Sequence, residues 1–266
     1  MSNWDEEAVN TPEEPKVGPG IVPKEAPKVE FRNLADAKKD RGLKILSYGN
    51  FSTGKTHFAL SSTDPVFIID TENGASPLAA KFPNAKVLNI CNTDNDEAEE
   101  KDEVKNFEGF INAVNHLIAL PEEQVGTIVI DSISDIWVWC QGYCKIKIFK
   151  LNIEDRLKQR FDWGIINNMF KKVIMKLINA NCNVIFTARE GEIYDNASGP
   201  SGRVKPETQK KVPFFVDIVL RHRAKFIQNK INFYVEVEKC RINGKMIGTI
   251  LNDVTLEKLK EKIEEK

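Results

Sequence analysis

Short apolar runs of strand length alternate along this chain with segments whose apolar residues recur at helical spacing. The runs with the length and composition of buried strands are residues 43–48, 65–70, 86–90, 127–131 and 183–188. Helical spacing is clearest for Phe107, Phe110, Ile111, Val114, Leu117 and Ile118, and again for Phe170, Val173, Ile174 and Leu177. Alternating elements with short connections predict an α/β fold, with a mainly parallel central sheet flanked by helices.

The chain beyond residue 188 has a less regular pattern. Residues 191–211 are rich in Gly, Pro, Ser and Lys and predict a long loop. Residues 218–220 and 233–237 predict two later strands, and residues 255–266 predict a terminal helix. The second half therefore adds strands to the same sheet in this interpretation.

The N-terminal segment differs in composition from the rest of the chain. Its prolines recur among glutamates, with few large apolar residues between them: Pro12, Pro15, Pro19, Pro23 and Pro27. Such a composition cannot bury enough apolar surface to fold alone, and it predicts a disordered tail over residues 1–30. The tail is either merely solvated or recruits a protein partner. Residues 31–266 are then expected to form one domain with a short C-terminal helix.

Composition limits the classes of function. The chain has 266 residues and a formal net charge of −1, so any nucleic-acid site must be a local basic patch. The 5 cysteines are scattered and odd in number, which argues against a disulfide framework and favours a reducing compartment. No apolar run approaches the ~20 residues that span a bilayer, and the N-terminus is too acidic for a signal peptide. We expect no membrane association and a cytoplasmic location, in the host cytoplasm if the chain is viral.

The most specific motif is the segment 49–56, which reads G-x-x-x-x-G-K-T between a predicted strand and a predicted helix. Glycines let successive backbone N–H groups face phosphates, and a helix N-terminus adds partial positive charge. Lys55 is expected to reach the β- and γ-phosphates. The predicted nucleotide-binding residues are Gly49, Asn50, Phe51, Ser52, Thr53, Gly54, Lys55, Thr56 and His57.

Three further residues are candidates for the chemistry of a bound nucleotide. The Thr56 hydroxyl is expected to hold Mg²⁺, and Asp131, at the end of an apolar strand, to complete the magnesium site. Both belong at the crevice where the carboxyl ends of parallel strands meet. Glu72 closes the segment Ile69-Asp70-Thr71-Glu72 at another strand end. A carboxylate there either activates the attacking water or merely caps a loop.

These motifs resemble the RecA/DnaB superfamily of nucleic-acid ATPases. In that superfamily the strand after the phosphate-loop helix ends in a similar I-D-x-E, whose glutamate is the catalytic base, and this implies the same role for Glu72. The segment 130–134 is similar to the second RecA-type motif. The resemblance implies a RecA-like P-loop ATPase with ATP and Mg²⁺ as cofactors.

A narrower resemblance is to phage-type RecA-like ATPases, which include the Sak-type single-strand annealing proteins. It rests on the order of Asp162-Trp163-Gly164, residues 184–190 and residues 212–217, and it covers residues 43–255. One departure concerns a strand end where RecA carries a polar amide, because here Arg189 and Glu190 stand in its place. The chain also lacks the large extra domains of filament-forming recombinases, so strand exchange by this protein alone is not expected.

The segment Lys239-Cys240-Arg241-Ile242-Asn243-Gly244 is similar to the K-x-R-N-G stretch of DnaB-type helicases. There the two cations reach the γ-phosphate of a neighbouring subunit, which implies a catalytic role for Lys239 and Arg241 here. It also implies a homo-oligomer, either a ring or a short filament. Two cations spaced two apart share one side of a strand, but a solvated hairpin end explains them as well.

Residues 190–212 are the predicted nucleic-acid contact, since the resemblance places the corresponding loop on the central path of the DNA. The candidate residues are Tyr194, Arg203, Lys205, Lys210 and Lys211. Cationic loops with an aromatic side chain suit single-stranded DNA, because charge follows the phosphates and a ring stacks on any base. Further cations at residues 145–160 are better explained as solvated helix faces.

Three functions remain open on the sequence alone. The first is a RecA-like ATPase that acts on single-stranded DNA in recombination, annealing or replication. The second is a P-loop kinase or another small-molecule phosphotransferase, and the third is a nucleotide-dependent assembly switch with little turnover. Glu72 and the basic segment favour the first over the second, whereas the sequence separates the first from the third poorly.

Overall fold

The computed structural model describes residues 41–90, 99–157, 159–195, 199–228 and 230–265. The predicted tail over residues 1–30 lies outside these ranges. The strands are β1 (Lys44–Gly49), β2 (Val66–Asp70), β3 (Lys86–Asn89), β4 (Thr127–Asp131), β5 (Asn183–Asp195), β6 (Gly199–Pro206), β7 (Ile218–Ile227), β8 (Lys230–Cys240) and β9 (Ile250–Asn252). The α-helices are α1 (Lys55–Leu60), α2 (Glu99–Ala119), α3 (Ile133–Tyr143), α4 (Arg160–Ile178), α5 (Val212–Phe215) and α6 (Leu256–Glu264).

The described strands form one sheet in the order β3-β2-β4-β5-β1-β7-β8-β9, and β6 pairs with β5 outside this path. The strands from β3 to β7 in that order run parallel to one another. Strands β8 and β9 add antiparallel at one edge, and β6 is also antiparallel. The predicted α/β class with a mainly parallel sheet is confirmed.

Helices cover both faces of the sheet, which explains why β1 and β4 are buried along their whole length. Alternate residues of β1 enter different cores, because successive side chains of a strand point to opposite faces. Leu46 and Tyr48 pack in a cluster with α2, α3 and α4, whereas Ile45 packs with α1 and α6. Two apolar layers thus hold the strand ends that carry the candidate site. None of the described helices is long and apolar enough to cross a membrane.

The prediction of a long loop over residues 191–211 is wrong. Strand β5 continues to Asp195 and pairs with β6, so a β-hairpin occupies most of this segment and α5 follows it. Its glycines and prolines resemble a loop in composition, yet Val204 alternates with exposed Arg203 and Lys205 and packs against the core. The pairing partner lies on the same hairpin, which is a contact that the local pattern of one strand does not reveal.

Strands β7 and β8 are also longer than predicted. Their paired residues run from Ile218 with Cys240 to Ile227 with Lys230. The outer half of this hairpin carries exposed apolar side chains, including Phe226 and Ile231, and lacks the buried run by which the inner half was recognised. The prediction therefore included only the segments that contribute to the core.

Candidate active site

The phosphate loop connects β1 to α1, and its glycines are required by its geometry. Gly54 has φ 87°, a left-handed conformation that glycine adopts without steric cost. A Cβ atom on Gly49 would lie 2.4 Å from the His222 carbonyl oxygen of β7, so a larger residue cannot fit. The loop therefore curls tightly at the carboxyl ends of β1 and β7, with the N-terminus of α1 directed into the same crevice.

Lys55 is half-buried at the first position of α1. Its Nζ donates hydrogen bonds to the Gly49 carbonyl at 3.0 Å and the Asn50 carbonyl at 2.7 Å. Burial lowers the pKa of Lys55, and the nearby carboxylates of Asp131 and Glu72 oppose that effect. An anion in the loop would supply the countercharge that this ammonium group needs, which fits the predicted contact with phosphates.

Asp131 ends β4, and its carboxylate meets the hydroxyl of Thr56. Thr56 Oγ1 donates to Asp131 Oδ2 at 2.7 Å, and the hydroxyl of Thr187 on β5 donates to the other carboxylate oxygen. Burial raises the pKa of Asp131, although these two hydrogen bonds counteract it. Hydroxyl and carboxylate oxygens are ligands that Mg²⁺ prefers, so this pair fits a magnesium ion that accompanies a nucleotide.

The acidic residues at the end of β2 have different surroundings. Asp70 is buried, and its carboxylate accepts hydrogen bonds from the backbone N–H groups of Glu72, Gly74 and Ala75. It therefore shapes the turn after β2. The side chain of Glu72 is 43% exposed and reaches the same crevice as Lys55 and Asp131. The turn that Asp70 stabilises thus presents Glu72 to the site.

Arg189 lies in the middle of β5, at the last position paired with β1, and contacts Glu72 directly. Its Nη2 is 2.7 Å from Glu72 Oε1 and 2.7 Å from Asp135 Oδ1, where Asp135 lies in the first turn of α3. Ser132 Oγ also donates to Asp135 Oδ2 at 3.0 Å, and it lies 3.3 Å from Glu72 Oε1. The candidate base is therefore held by an ion pair and a hydroxyl.

These residues surround one cleft of about 360 Å³. Its lining combines the phosphate loop, the candidate magnesium residues and the candidate base with the middle of β5 and the residue after β6: Gly49, Asn50, Phe51, Ser52, Lys55, Thr56, Glu72, Asp131, Ser132, Ala188, Arg189, Glu190 and Glu207. Glu190 is neutralised by Arg221, which donates to both of its carboxylate oxygens at 2.9 and 3.0 Å. The cleft thus brings Lys55 together with three glutamates, of which Glu190 is paired with Arg221 and Glu72 with Arg189.

A second cavity of about 290 Å³ adjoins the phosphate loop at Thr53, Gly54 and His57. Its other walls come from α1, β7, β8 and the segment before α6, including His222 of β7 and Phe233 of β8. The Nε2 atoms of His57 and His222 are buried and have no hydrogen-bond partner among the described residues. Burial lowers the pKa of His222 to about 3, so that imidazole is neutral at pH 7.

Lys239 and Arg241 have partners within their own chain. Lys239 Nζ donates to the carbonyl oxygens of Pro213 at 2.7 Å and Val216 at 2.6 Å. Arg241 donates to the Phe214 carbonyl at 2.8 Å and pairs with Asp217 at 3.3 Å. Both cations thus donate hydrogen bonds to backbone carbonyls at the C-terminal end of α5. Cations stabilise this end of a helix, and the sequence did not suggest this arrangement.

The candidate DNA-binding residues lie on two neighbouring segments. Arg203 and Lys205 are exposed on one face of β6, and the side chain of Tyr194 on β5 is 67% exposed. Lys210 and Lys211 are exposed immediately before α5. Glu190 and Glu207, near the base of the hairpin, line the nucleotide cleft. The basic residues therefore extend outwards from the candidate active site.

Sequence reasoning missed three polar residues of the site: Thr71, Asp135 and Thr187. Thr71 Oγ1 donates to Asp135 Oδ2 at 2.7 Å and accepts a hydrogen bond from the backbone N–H of Ser132. A signal was present for Asp135, because it lies in the first turn of the helix that directly follows the end of β4 at Asp131. Thr187 has no such local signal, since its partner lies on another strand.

Comparison with known proteins identifies the family of this chain. Residues 41–244 match the sequence profile of the family described as an AAA domain. No curated protein matches the chain. Among solved structures, a KaiC-like protein from the hyperthermophilic archaeon Pyrococcus horikoshii is 15% identical, with a TM-score of 0.41 over 75% of this chain and 80% of that one. Because the profile spans most of the chain, including the phosphate loop and Asp131, this chain belongs to the AAA domain family of P-loop ATPases.

Proposed function

We propose that this protein binds ATP with Mg²⁺, hydrolyses it, and acts on single-stranded DNA in recombination, annealing or replication. One observation supports the hydrolytic part above all: Lys55, the Thr56–Asp131 pair and Glu72 line a single cleft. Transfer of a phosphoryl group to water requires a cation that binds the phosphates, oxygen ligands that hold a metal ion, and a carboxylate that activates the water.

Each of these residues has a role in the proposed reaction. When ATP binds, Lys55 Nζ leaves the carbonyl oxygens of Gly49 and Asn50 and donates hydrogen bonds to phosphate oxygens instead. Its positive charge then neutralises part of the negative charge of the phosphates. Thr56 and Asp131 would hold Mg²⁺, which supplies Lewis-acid stabilisation of the leaving diphosphate when bound. Glu72 accepts the proton of the water whose oxygen attacks the γ-phosphorus. The bond from that phosphorus to the β–γ bridging oxygen breaks, and ADP leaves with the electron pair.

The second cavity is the proposed site of the base and ribose. It begins at His57, which directly follows the phosphate loop, and it has apolar walls such as Phe233 and Val235. The buried Nε2 atoms of His57 and His222 would gain hydrogen bonds from polar atoms of a nucleoside, and buried polar groups normally have such partners. The nucleotide then spans both cavities, with the phosphate loop between them.

The exposed cations of β6 and of the segment before α5 support the choice of single-stranded DNA as partner. We expect Arg203, Lys205, Lys210 and Lys211 to follow the phosphates and Tyr194 to stack on a base. Replacing the four cations with alanine should weaken binding and lower the log–log salt slope by roughly 0.7 for each phosphate that the protein no longer neutralises. Fluorescence anisotropy of a labelled oligonucleotide at several salt concentrations measures both quantities.

The matched control removes four cations from other surfaces, namely Lys172 of α4 and Lys245, Lys260 and Lys262 of the C-terminal region. Both quadruple variants change the net charge equally, so only a local effect distinguishes them. ATP binding should survive in both. Equal salt slopes in the two variants would place the DNA on another surface.

A homo-oligomer is the second proposed partner, with Lys239 and Arg241 acting across the subunit boundary. In that case both cations must first leave the carbonyls of α5. We expect a mixture of Arg241→Ala and Lys55→Ala subunits to regain activity, because an intact cation then meets an intact loop at about a quarter of the interfaces of a mixed ring. If the two variants co-assemble without any recovery, Lys239 and Arg241 have only the structural role of holding α5.

A nucleotide-dependent assembly switch with slow turnover is the second candidate function. It is favoured by the ion pair between Arg189 and Glu72, which occupies the candidate base. A steady-state ATPase assay with and without single-stranded DNA separates the two functions. DNA-stimulated hydrolysis supports the DNA-dependent ATPase, and ATP binding with negligible hydrolysis in both conditions supports the switch.

A further inference from the structure

The cavity of about 290 Å³ beside the phosphate loop has a single carboxylate among its lining residues, that of Asp253. Within the part of the chain that the structure describes, this carboxylate forms neither a hydrogen bond nor an ion pair. The hydroxyls of the same wall are already engaged. Thr255 Oγ1 accepts a hydrogen bond from the Lys258 N–H at 3.3 Å, and Thr53 Oγ1 donates to a carbonyl of the loop at 2.8 Å. Asp253 is therefore an acceptor that is available to a molecule in the cavity.

The backbone of Asp253 is held in place while its carboxylate is free. Asp253 directly follows β9, which pairs with β8, and its N–H donates to the Phe233 carbonyl at 3.2 Å. Its own carbonyl accepts from Lys258 Nζ at 3.1 Å, so this ammonium group binds the backbone of Asp253. The backbone has φ 44°, a left-handed conformation that Asp and Asn adopt more readily than most residues. The acceptor is thus carried by a fixed point of the sheet edge.

Only one residue separates Asp253 from the phosphate loop. A Cβ atom on Gly54 would lie 3.6 Å from Cδ1 of Phe233, so the Phe233 ring packs directly against the loop. The carbonyl of the same phenylalanine receives the N–H of Asp253. In a nucleotide the ribose follows the α-phosphate, and the γ-phosphate lies at the other end, toward the cleft that holds Glu72. Asp253 is therefore placed beside the sugar and not beside the terminal phosphate.

A free carboxylate in this place suits the two neighbouring hydroxyls of a ribose. Ionised carboxylates are acceptors only, and their two oxygens can receive two donors at once. Hydrogen bonds to a charged acceptor are about twice as strong as those between neutral groups. A deoxyribose lacks one of the two hydroxyls and leaves part of the carboxylate without a partner inside the cavity, which carries a desolvation cost.

We propose that the Asp253 carboxylate accepts hydrogen bonds from the 2′- and 3′-hydroxyls of the bound nucleotide, so that this protein selects ribonucleotides over deoxyribonucleotides. The proposal rests on the proposed ATP binding and deepens it, because it assigns a specificity-determining residue to the nucleoside end of the site. Phe233 sets the distance between that residue and the loop.

The test compares Asp253→Gly with the control Gln228→Gly. Glycine adopts a positive φ without steric cost, so Asp253→Gly removes the carboxylate and leaves the turn unstrained. Gln228 has φ 48° in the turn between β7 and β8 and is not among the residues that line the cavity, so its replacement tests the same backbone change elsewhere. Isothermal titration calorimetry with Mg²⁺ measures the dissociation constants of ATP, 2′-deoxy-ATP and 3′-deoxy-ATP. Thermal midpoints show whether each variant is folded.

Wild-type protein should bind ATP about ten- to a hundredfold more tightly than either deoxy analogue, as expected for the loss of a hydrogen bond to a charged group. In Asp253→Gly the affinity for ATP should fall by that factor, and the three nucleotides should bind within about threefold of one another. Asp253→Asn retains one acceptor without the charge and should show a smaller preference for ATP. Gln228→Gly should keep the wild-type preference.

Two results would overturn the proposal. Equal affinities of wild-type protein for ATP and both deoxy analogues would show that the sugar hydroxyls are not recognised. A wild-type preference for ATP that persists in folded Asp253→Gly would assign that preference to another residue. Failure of the proposed ATP binding is distinguishable from both results, because wild-type protein would then bind none of the three nucleotides.

Discussion

The Lys55→Ala variant is expected to lose nearly all affinity for ATP. Lys55 Nζ now contacts only carbonyl oxygens of the loop, so it is the cation that the β- and γ-phosphates would meet there. Removing one partner of such a buried charge pair costs about 2–5 kcal/mol, which corresponds to roughly 30-fold to 4,000-fold in the dissociation constant. Isothermal titration calorimetry with ATP and Mg²⁺ measures this loss directly.

The control for this variant is Lys245→Ala, which removes an exposed lysine from the short 3₁₀-helix Gly244–Met246. It should bind ATP as wild type does, and both variants should retain the wild-type circular dichroism spectrum. An unchanged ATP dissociation constant in folded Lys55→Ala protein would disprove the assignment of the phosphate site.

The Glu72→Gln variant should bind ATP normally and fail to hydrolyse it. Glutamine keeps the shape of the side chain and its ability to accept a hydrogen bond, but it cannot take a proton from water. General bases contribute about 10²–10⁴-fold, so the single-turnover rate should fall by that factor. Rapid-quench measurement of the first turnover, together with an ATP titration, separates loss of chemistry from loss of binding.

Glu190→Gln is the informative comparison, since Glu190 lines the same cleft but is engaged by Arg221 at 2.9 and 3.0 Å. Glu72 is expected to be the base because it is 43% exposed in the cleft and forms a single ion-pair contact, with Arg189, among the described residues. If Glu190→Gln abolishes hydrolysis and Glu72→Gln stays within about threefold of wild type, the roles must be reassigned.

Much of this architecture could be predicted because its signals are local. The buried strands β1, β2 and β4 read as continuous apolar runs, as strands covered on both faces must. The phosphate loop combines glycines, a lysine and a threonine within one turn of chain. Asp131 could be assigned to the same crevice from its position at a strand end alone, since parallel strands end at a common edge.

The features that could not be predicted depend on contacts between distant parts of the chain. Arg189 meets Glu72 across three strands of the sheet, and no pattern in either segment indicates the partner. The sequence around Lys239 and Arg241 resembles that of cations that act on a neighbouring subunit, yet both side chains donate hydrogen bonds to carbonyl oxygens of α5. Side-chain partners of this kind are set by tertiary packing, whereas a motif specifies only the residue types.

Strand β5 is continuous from the nucleotide cleft to the exposed β5–β6 hairpin. Its inner part holds Asp131 through Thr187 and Glu72 through Arg189, and the same strand continues to the exposed Tyr194. At about 3.3 Å per residue, Tyr194 lies about 17 Å beyond Arg189 along the strand. A displacement of the hairpin along the strand would therefore move the residues that contact the Asp131 and Glu72 carboxylates. The register shift between Glu192 and Tyr194 lies on this path, between the exposed tip of the hairpin and the cleft.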